Sequence, residues 1–190
     1  GQALLSLGTS GVVAVVSETP VEDPSGQVAG FADASGNWLP LACTLNASRI
    51  LDAVGAMSGL GYEELDEAAL SVPDAGGLRL VPYFEGERTP NLPDATASLE
   101  GMTLKNSTRA HLARAGVEGL LAHMRFALEC VRELGVPIEK VLVVGGGARS
   151  RAVQSLAPEF LGVPVEFPEA AEYVALGAAR QAGMLHSPTM

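Results

Sequence analysis

Short apolar segments separated by glycine-containing or polar turns fill the first part of the chain, a pattern typical of β-hairpins. Segments 3–7 and 11–17 are joined by Gly-Thr-Ser, a connection too short for anything but a hairpin. Segments 27–32 and 37–41, joined by Asp-Ala-Ser-Gly, predict a second hairpin that extends the same antiparallel edge.

Helical spacing replaces the strand pattern in the middle of the chain. Apolar residues in 46–57 and in 62–70 lie on one face of each predicted helix, and Asn46 is placed to cap the first. Segment 78–81 is a short apolar run that predicts a strand. We interpret residues 91–100 as loop.

The longest periodic segment, 107–134, keeps apolar residues near a 3.6-residue spacing. It predicts one helix of about 40 Å. Two glycines lie inside this helix, Gly116 and Gly119. We expect them to allow close packing against another helix or the sheet, because glycine otherwise destabilises a helix interior.

The last part of the chain alternates strands and helices. A buried strand at 141–144 precedes a glycine turn and a helix over 151–161, and a short strand follows at 163–166. An Ala-rich helix over 171–184, which we expect to pack closely, ends the pattern. Antiparallel hairpins followed by βα units predict an α/β domain with a mixed sheet and helices on both faces.

Composition narrows the class of protein. With 190 residues and 47% hydrophobic content, the chain is large enough for one domain with a solid core. A net charge of −10 argues against a nucleic-acid surface, which needs clustered Lys and Arg. No apolar run reaches the roughly 18 residues of a membrane span, and Cys43 and Cys130 fit no disulfide framework. We therefore expect a soluble, cytoplasmic protein, and we interpret the chain as part of a longer one because it begins without Met inside a strand pattern.

The three histidines do not form a metal-binding pattern. His111 and His123 are separated by twelve positions, which places them about 120° apart around a helix, so they cannot share a metal ion. His186 lies in the polar tail, and the sequence has neither HExxH nor a Cys pair. We therefore predict no metal ligands from this chain.

A glycine turn follows the predicted strand at 141–144. Gly145, Gly146 and Gly147 have no Cβ, so the backbone there can approach a flat ring or a phosphate closely. Ser150 can cap the next helix, whose N-terminus offers unpaired N–H groups. The turn is therefore a candidate nucleotide site. The alternative is that its glycines are needed only for packing between the strand and the helix.

The tip of the first hairpin, Gly8-Thr9-Ser10-Gly11, is a second candidate. Its backbone N–H groups and two hydroxyls can form a small concave surface suited to phosphate oxygens. An ordinary tight turn is the alternative interpretation. The chain contains no GxxxxGK[ST], which excludes a P-loop.

The loop Pro-Tyr-Phe-Glu-Gly-Glu-Arg-Thr-Pro at 82–90 has neither helical nor strand periodicity and carries both charges and aromatic rings. Such a loop at the end of a strand is a candidate for function. The alternative is an exposed Glu87–Arg88 pair in a loop made rigid by proline.

One nucleotide hypothesis is a dinucleotide-binding fold, because Gly145-x-Gly147 follows a strand and Glu166 comes about twenty residues later. However, Ser150 stands where a third Gly or Ala belongs, and little chain remains after Glu166 to complete such a sheet. An actin-like ATP site, with phosphates at a hairpin tip and adenosine against a later glycine turn, is the other nucleotide hypothesis.

Five ordered motifs span nearly the whole chain. They are Leu-Gly-Thr-Ser-Gly at 7–11, the loop at 82–90, Ala-x-Leu-x-Gly-Met at 97–102 with a His-Leu segment at 111–118, Gly-Gly-Gly-Ala-Arg-Ser at 145–150, and Ala-Leu-Gly-Ala-Ala at 175–179. In this order they resemble the carboxy-terminal domain of the FGGY carbohydrate kinases. The resemblance implies an actin-like, ribonuclease H-like ATPase fold. It also implies that residues 1–190 are the nucleotide-binding domain of a two-domain sugar kinase whose amino-terminal, sugar-binding domain lies outside the chain.

The resemblance implies positions for the nucleotide as well. The implied phosphate-binding residues are Gly8, Thr9, Ser10 and Gly11. The implied adenosine-binding residues are Gly145, Gly146, Gly147 and Ala148, and a valine at position 147 is expected to close the adenosine pocket. The resemblance also implies that Gly86, Glu87 and Arg88 lie in a loop that borders the nucleotide cleft.

Within the family, the Gly-Glu-Arg-Thr-Pro loop and the Gly-Val-Pro-Val strand are most similar to the xylulokinase group. The implied reaction transfers the γ-phosphoryl group of ATP, with Mg²⁺, to the 5-hydroxyl of D-xylulose. The family's catalytic Asp lies upstream of the hairpin, so no catalytic residue is assigned, and the chain alone is expected to bind ATP or ADP weakly and to turn over no sugar. A kinase for gluconate, glycerol or another polyol or ketose, and an actin-like nucleotide-binding module without kinase activity, remain alternatives. A homodimer also remains open.

Overall fold

A computed structural model describes residues 1–185 of the chain. His186 and the rest of the predicted polar tail lie outside the described residues. In chain order, the elements are β1 Gln2–Leu7, β2 Gly11–Val15, β3 Val28–Ala32, β4 Trp38–Thr44, α1 Ser48–Ser58, α2 Tyr62–Leu70, β5 Arg79–Val81, β6 Ser98–Glu100, α3 Arg109–Glu133, β7 Lys140–Val144, a 3₁₀ turn Gly146–Arg149, α4 Arg151–Leu161, β8 Val165–Glu166 and α5 Tyr173–Leu185.

Six strands form one mixed sheet in the order β3-β4-β2-β1-β7-β8. The β1–β2 and β3–β4 hairpins are antiparallel, and β2 pairs antiparallel with β4. In contrast, β7 runs parallel to both β1 and β8. Because β1 and β7 are parallel neighbours, the hairpin tip that follows β1 and the glycine turn that follows β7 leave the sheet at the same edge.

Alternate residues of the central strands face a single core. Ala3, Leu5 and Leu7 of β1 are buried, whereas Leu4 between them is 41% exposed. The buried side of the sheet packs against α3, which also contacts α1, α2 and α4. This helix therefore joins the sheet to α1, α2 and α4.

The two interior glycines of α3 allow the close packing that the sequence predicts. A Cβ at Gly116 would lie 2.8 Å from a methyl group of Val54 in α1, and a Cβ at Gly119 would lie 2.8 Å from the carbonyl oxygen of Leu80 in β5. The first glycine brings α3 against a helix, and the second brings it against β5, which pairs with β6 in a separate two-stranded sheet.

Three local predictions are wrong. Residues Ser98–Glu100 pair antiparallel with Arg79–Val81, although we interpreted them as loop. Asn46 does not cap α1: its Oδ1 accepts no hydrogen bond within residues 1–185, and its side-chain NH₂ donates to the carbonyl oxygen of Gly86 and to the carboxylate of Glu87. The residues of α5 up to Gly183 are exposed, so α5 does not pack closely within the described part of the chain. Among residues 1–185, we find no helix both long and apolar enough to cross a membrane.

Candidate functional site

The glycine turn packs directly against the end of β1. A Cβ at Gly145 would lie 2.7 Å from the carbonyl oxygen of Leu7, and Gly145 has a φ of 95°, which residues with a side chain rarely adopt. A Cβ at Gly147 would lie 3.0 Å from the Cβ of Leu7. Both glycines are therefore required by contacts with the strand that leads into the hairpin tip.

This packing corrects the expected effect of a valine at position 147. We predicted that the new side chain would close the adenosine pocket, but it would point at Leu7 in the core. Gly146 is the glycine that faces open space, since a Cβ there would meet no atom within 4 Å. A ligand that approaches the turn from the solvent would therefore meet Gly146.

The hairpin tip is held by the N-terminus of α1. Ala47 N–H donates to the carbonyl oxygen of Thr9 at 3.2 Å, and Ser48 N–H donates to that of Gly8 at 2.9 Å. A trans peptide directs its C=O and N–H to opposite sides, so the N–H groups of Thr9 and Ser10 point away from α1. Both residues are exposed, and these two N–H groups form no hydrogen bond within residues 1–185. They are therefore available donors on the surface of the tip.

Two cavities border the glycine turn. The first, which we call the α2-side cavity, has a volume of about 450 Å³ and is lined by Ser48, Leu51, Tyr62, Glu63, Leu65, Asp66, Gly146, Gly147, Arg149 and Ser150. The second, the α5-side cavity, has a volume of about 510 Å³ and is lined mainly by residues from the end of β7, the 3₁₀ turn and the segment 167–173. Both volumes are in the range of small-ligand sites.

The four residues predicted to hold adenosine are divided between these cavities. Gly147 lines the α2-side cavity, Gly145 and Ala148 line the α5-side cavity, and Gly146 lines both. The α2-side cavity also includes Ser48, whose N–H is bonded to Gly8. This cavity is therefore directly connected to the hairpin tip through one residue of α1.

The N-terminus of α4 is already occupied by protein groups. Ser150 caps it as predicted, since its hydroxyl accepts from Val153 N–H at 3.1 Å. The Asp66 carboxylate of α2 accepts from Arg151 N–H at 2.8 Å and from Ala152 N–H at 3.3 Å. The unpaired N–H groups that we expected to face a nucleotide are thus used by a buried carboxylate. This removes the anion site that a dinucleotide-binding fold would place at this helix.

The third predicted region is the loop from Gly86 to Arg88, and its central side chain, that of Glu87, is buried. Glu87 is 1% exposed, whereas Arg88 is exposed. The Glu87 carboxylate accepts from the backbone N–H of Arg88 at 2.8 Å and does not pair with its guanidinium. The exposed Glu87–Arg88 ion pair that we considered as an alternative is therefore wrong, and Glu87 itself does not face either cavity at the glycine turn.

Glu87 binds His123, a partner that sequence reasoning missed. The carboxylate lies 2.8 Å from Nε2 of His123, which belongs to α3 and is also buried. Burial alone would raise the pKa of Glu87, but the hydrogen bonds from His123, Asn46, Leu45 and Arg88 together lower it to about 2. The ionised carboxylate requires a proton on Nε2 of His123. The only signal in the sequence is a histidine on the apolar stripe of a long helix.

Residues 1–185 contain no group of three or more His, Cys, Asp and Glu side chains placed to hold a metal ion. His111 is bonded to Thr108 at the start of α3, and His123 is bonded to Glu87.

Comparisons with known proteins assign the family. Residues 3–186 match the model of the FGGY family of carbohydrate kinases, C-terminal domain. A xylulose kinase of Streptomyces rubiginosus is 43% identical over 186 residues, which cover 97% of this chain and 37% of the relative. The chain thus spans a little over one third of the length of the curated relatives it matches.

Solved structures agree with the sequence match. The crystal structure of xylulose kinase from Bifidobacterium adolescentis is 57% identical, with a TM-score of 0.89, over 96% of this chain and 36% of that one. Glycerol kinase of Plasmodium falciparum with ADP is 20% identical over 96% of this chain and 38% of that one, with a TM-score of 0.84, and supports the fold alone. The predicted actin-like α/β fold is confirmed. The chain belongs to the FGGY family of carbohydrate kinases, as a C-terminal domain similar to those of xylulose kinases.

Proposed function

We propose that the intact protein transfers the γ-phosphoryl group of ATP to the 5-hydroxyl of D-xylulose, and that this chain supplies its adenine-nucleotide site. One observation carries the proposal for the site: the hairpin tip and the glycine turn leave the sheet at the same edge and meet at Leu7. The similarity to xylulose kinases supports the choice of sugar.

The adenosine part of the nucleotide would occupy the α2-side cavity. Gly146 and Gly147 form one wall without side chains, and Leu51, Tyr62 and Leu65 provide apolar surface on α1 and α2. A flat, partly apolar ring suits such a cavity, which has a few polar groups among apolar ones. Under this proposal Gly145 and Ala148 shape the turn from its other side.

The phosphates would bind at the hairpin tip. Thr9 and Ser10 present two exposed N–H groups and two hydroxyls, and Gly8 and Gly11 allow the tight turn between them. Phosphoryl transfer requires mainly that groups be positioned and that developing charge be stabilised, which such donors do. ATP supplies the reactive phosphoryl group, and this chain holds it in place.

We propose that Mg²⁺ is bound chiefly through the phosphates of ATP. Mg²⁺ usually keeps several water ligands and takes one or two carboxylates together with substrate phosphates. Within residues 1–185 no acidic cluster competes with this arrangement. The ion is therefore expected to arrive with the nucleotide.

The remaining parts of the reaction would come from the amino-terminal domain, which we propose as the partner of this chain. No residue of this chain is assigned as the general base, and the sugar contacts would lie mainly in that domain. We also propose a cytoplasmic location, since ATP is available there and Cys43 and Cys130 are unpaired.

A coupled assay of ADP release tests the function. The intact protein should release ADP only when D-xylulose is added, and the isolated chain should not do so. Glycerol and D-gluconate in place of D-xylulose test the alternative substrates. An intact protein without sugar-dependent ADP release would overturn the kinase assignment, and turnover by the isolated chain would overturn the division of roles between domains.

A further inference from the structure

Four consecutive backbone N–H groups connect Glu87 to the hairpin tip. Leu45 N–H and Asn46 N–H donate to the Glu87 carboxylate at 2.5 and 3.2 Å. The next two N–H groups along the chain, those of Ala47 and Ser48, donate to the carbonyl oxygens of Thr9 and Gly8. The segment 45–48 is thus fixed by a buried carboxylate at one end and fixes the tip at the other.

The carboxylate has no freedom to take a different arrangement. One oxygen accepts from Leu45 N–H and Arg88 N–H, and the other accepts from Asn46 N–H, the Asn46 side-chain amide and His123 Nε2. Every partner is a donor. A neutral amide at this position would place an NH₂ group against at least one of them, and an unmatched buried donor is unfavourable.

The loop that carries Glu87 is also held by contacts with α3 and with β4. His123 comes from the central helix α3, and the Tyr83 ring packs edge-on against the imidazole with a centroid distance of 5.5 Å. The Thr89 hydroxyl donates to the carbonyl oxygen of Cys43 at 2.9 Å, at the end of β4. Glu87 is therefore anchored to the core, and the segment 45–48 is anchored to Glu87.

We propose that Glu87 is a positioning residue for phosphoryl transfer, which acts through the segment 45–48 to orient the N–H groups of Thr9 and Ser10. This inference rests on the proposed function, because it assigns the tip to the nucleotide phosphates. When Ala47 and Ser48 hold the carbonyl oxygens of Thr9 and Gly8, the following N–H groups are turned to the open side of the tip. Glu87 itself touches neither the nucleotide nor the sugar.

The test compares ADP with adenosine in the intact protein. Calorimetry of Glu87→Gln should show ADP affinity reduced by about tenfold, as for a lost preorganised donor, while adenosine affinity stays within about twofold. In the coupled assay, kcat should fall by about tenfold or more. Glu85→Gln is the matched control: Glu85 lies in the same loop and pairs with Arg49 of α1, but it is 71% exposed, and its variant should behave like the unmodified protein.

A second pair of variants covers the case in which Glu87→Gln does not fold. His123→Gln keeps an N–H donor near the carboxylate, whereas His123→Ala removes it. His123→Ala should show the selective loss of ADP affinity and His123→Gln should largely restore it. Equal loss of ADP and adenosine affinity in a folded variant, or no loss of either, would overturn the positioning role.

The two proposals fail in different ways. Unmodified protein that binds ADP but shows no sugar-dependent turnover would overturn the kinase assignment, and the ADP–adenosine comparison would still decide whether Glu87 orients the N–H groups that bind phosphate. Unmodified protein that binds no ADP would overturn both. A normal kinase in which Glu87→Gln has unchanged ADP affinity and kcat would overturn the positioning role alone.

Discussion

Gly147 lies against Leu7 so closely that a Cβ at position 147 would be 3.0 Å from the Cβ of Leu7. Leu7 is the last residue of β1, and the hairpin tip begins at the next residue. The glycine turn and the tip are therefore two parts of one packed edge. A change on the buried side of the turn should affect folding, and a change on its open side should affect binding.

We expect valine substitutions at the two neighbouring glycines to have opposite effects. Gly146→Val places its side chain in open space beside both cavities, so ADP affinity should fall by about tenfold or more with little change in melting temperature. Gly147→Val forces a side chain onto Leu7 and should cost about 1–3 kcal/mol of stability. Calorimetry and thermal unfolding of the same two variants separate these effects. An undisturbed ADP affinity in Gly146→Val would remove the turn from the nucleotide site.

Removing the Thr9 side chain should slow phosphoryl transfer. Thr9 is exposed at the tip, where we propose that its hydroxyl meets a phosphate oxygen. In the intact protein, Thr9→Ala should lower kcat by about tenfold or more, by comparison with other lost transition-state donors. Thr9→Ser keeps the hydroxyl and is the control. If Thr9→Ala and Thr9→Ser had the same kcat as the unmodified protein, the Thr9 hydroxyl would have no role in the transfer.

Asp66 should stabilise the helix that follows the glycine turn. Its buried carboxylate accepts from the N–H groups of Arg151 and Ala152, where a negative charge is favoured by the helix dipole. Asp66→Ala should therefore lower the free energy of unfolding by about 1–3 kcal/mol. Glu67→Gln is the control: this exposed neighbour contacts Arg151 at 3.4 Å, and the pair should contribute less than about 1 kcal/mol. Urea unfolding of both variants gives the comparison, and similar values for the two would contradict the role of Asp66.

The Glu87 carboxylate should make stability depend on acid pH. Its pKa is lowered from 4.5 to about 2 in the folded chain, so its stabilising effect is complete above the ordinary pKa and is lost as the pH falls toward 2. The loss should amount to at most about 3 kcal/mol. Asp23, Asp33 and Glu100 also have lowered pKa values, so the unmodified protein must be compared with Glu87→Gln.

The unfolding free energies of these two proteins should converge between about pH 5 and pH 2, as urea titrations at several pH values can show. A difference that stays constant over this range would mean that the pKa of Glu87 is not lowered by its partners.

Much of the fold could be predicted because its signals are local. The two hairpins have short turns between apolar segments, and α3 has an apolar period sustained over 25 residues. The Ser150 cap lies next to the helix it serves. In each case, the residues that determine the element are neighbours in sequence.

The errors come from contacts between distant segments. Asn46 fits a cap by position, but Gly86 and Glu87 bind its amide from forty and forty-one residues away. The strand Ser98–Glu100 has only three residues, and its middle residue is half-buried, so its strand signal is weak. The Glu87–His123 pair joins a loop to a helix across thirty-six residues, a relationship that no periodicity reveals. The α4 N-terminus is filled by Asp66 from eighty-five residues away.

The most direct test of the nucleotide site is a crystal structure of the intact protein with ADP and Mg²⁺. We expect the adenosine in the α2-side cavity, between Ser48 and Gly147, and the β-phosphate within hydrogen-bonding distance of the N–H groups of Thr9 and Ser10. ADP bound in the α5-side cavity, or away from both the glycine turn and the hairpin tip, would contradict this placement.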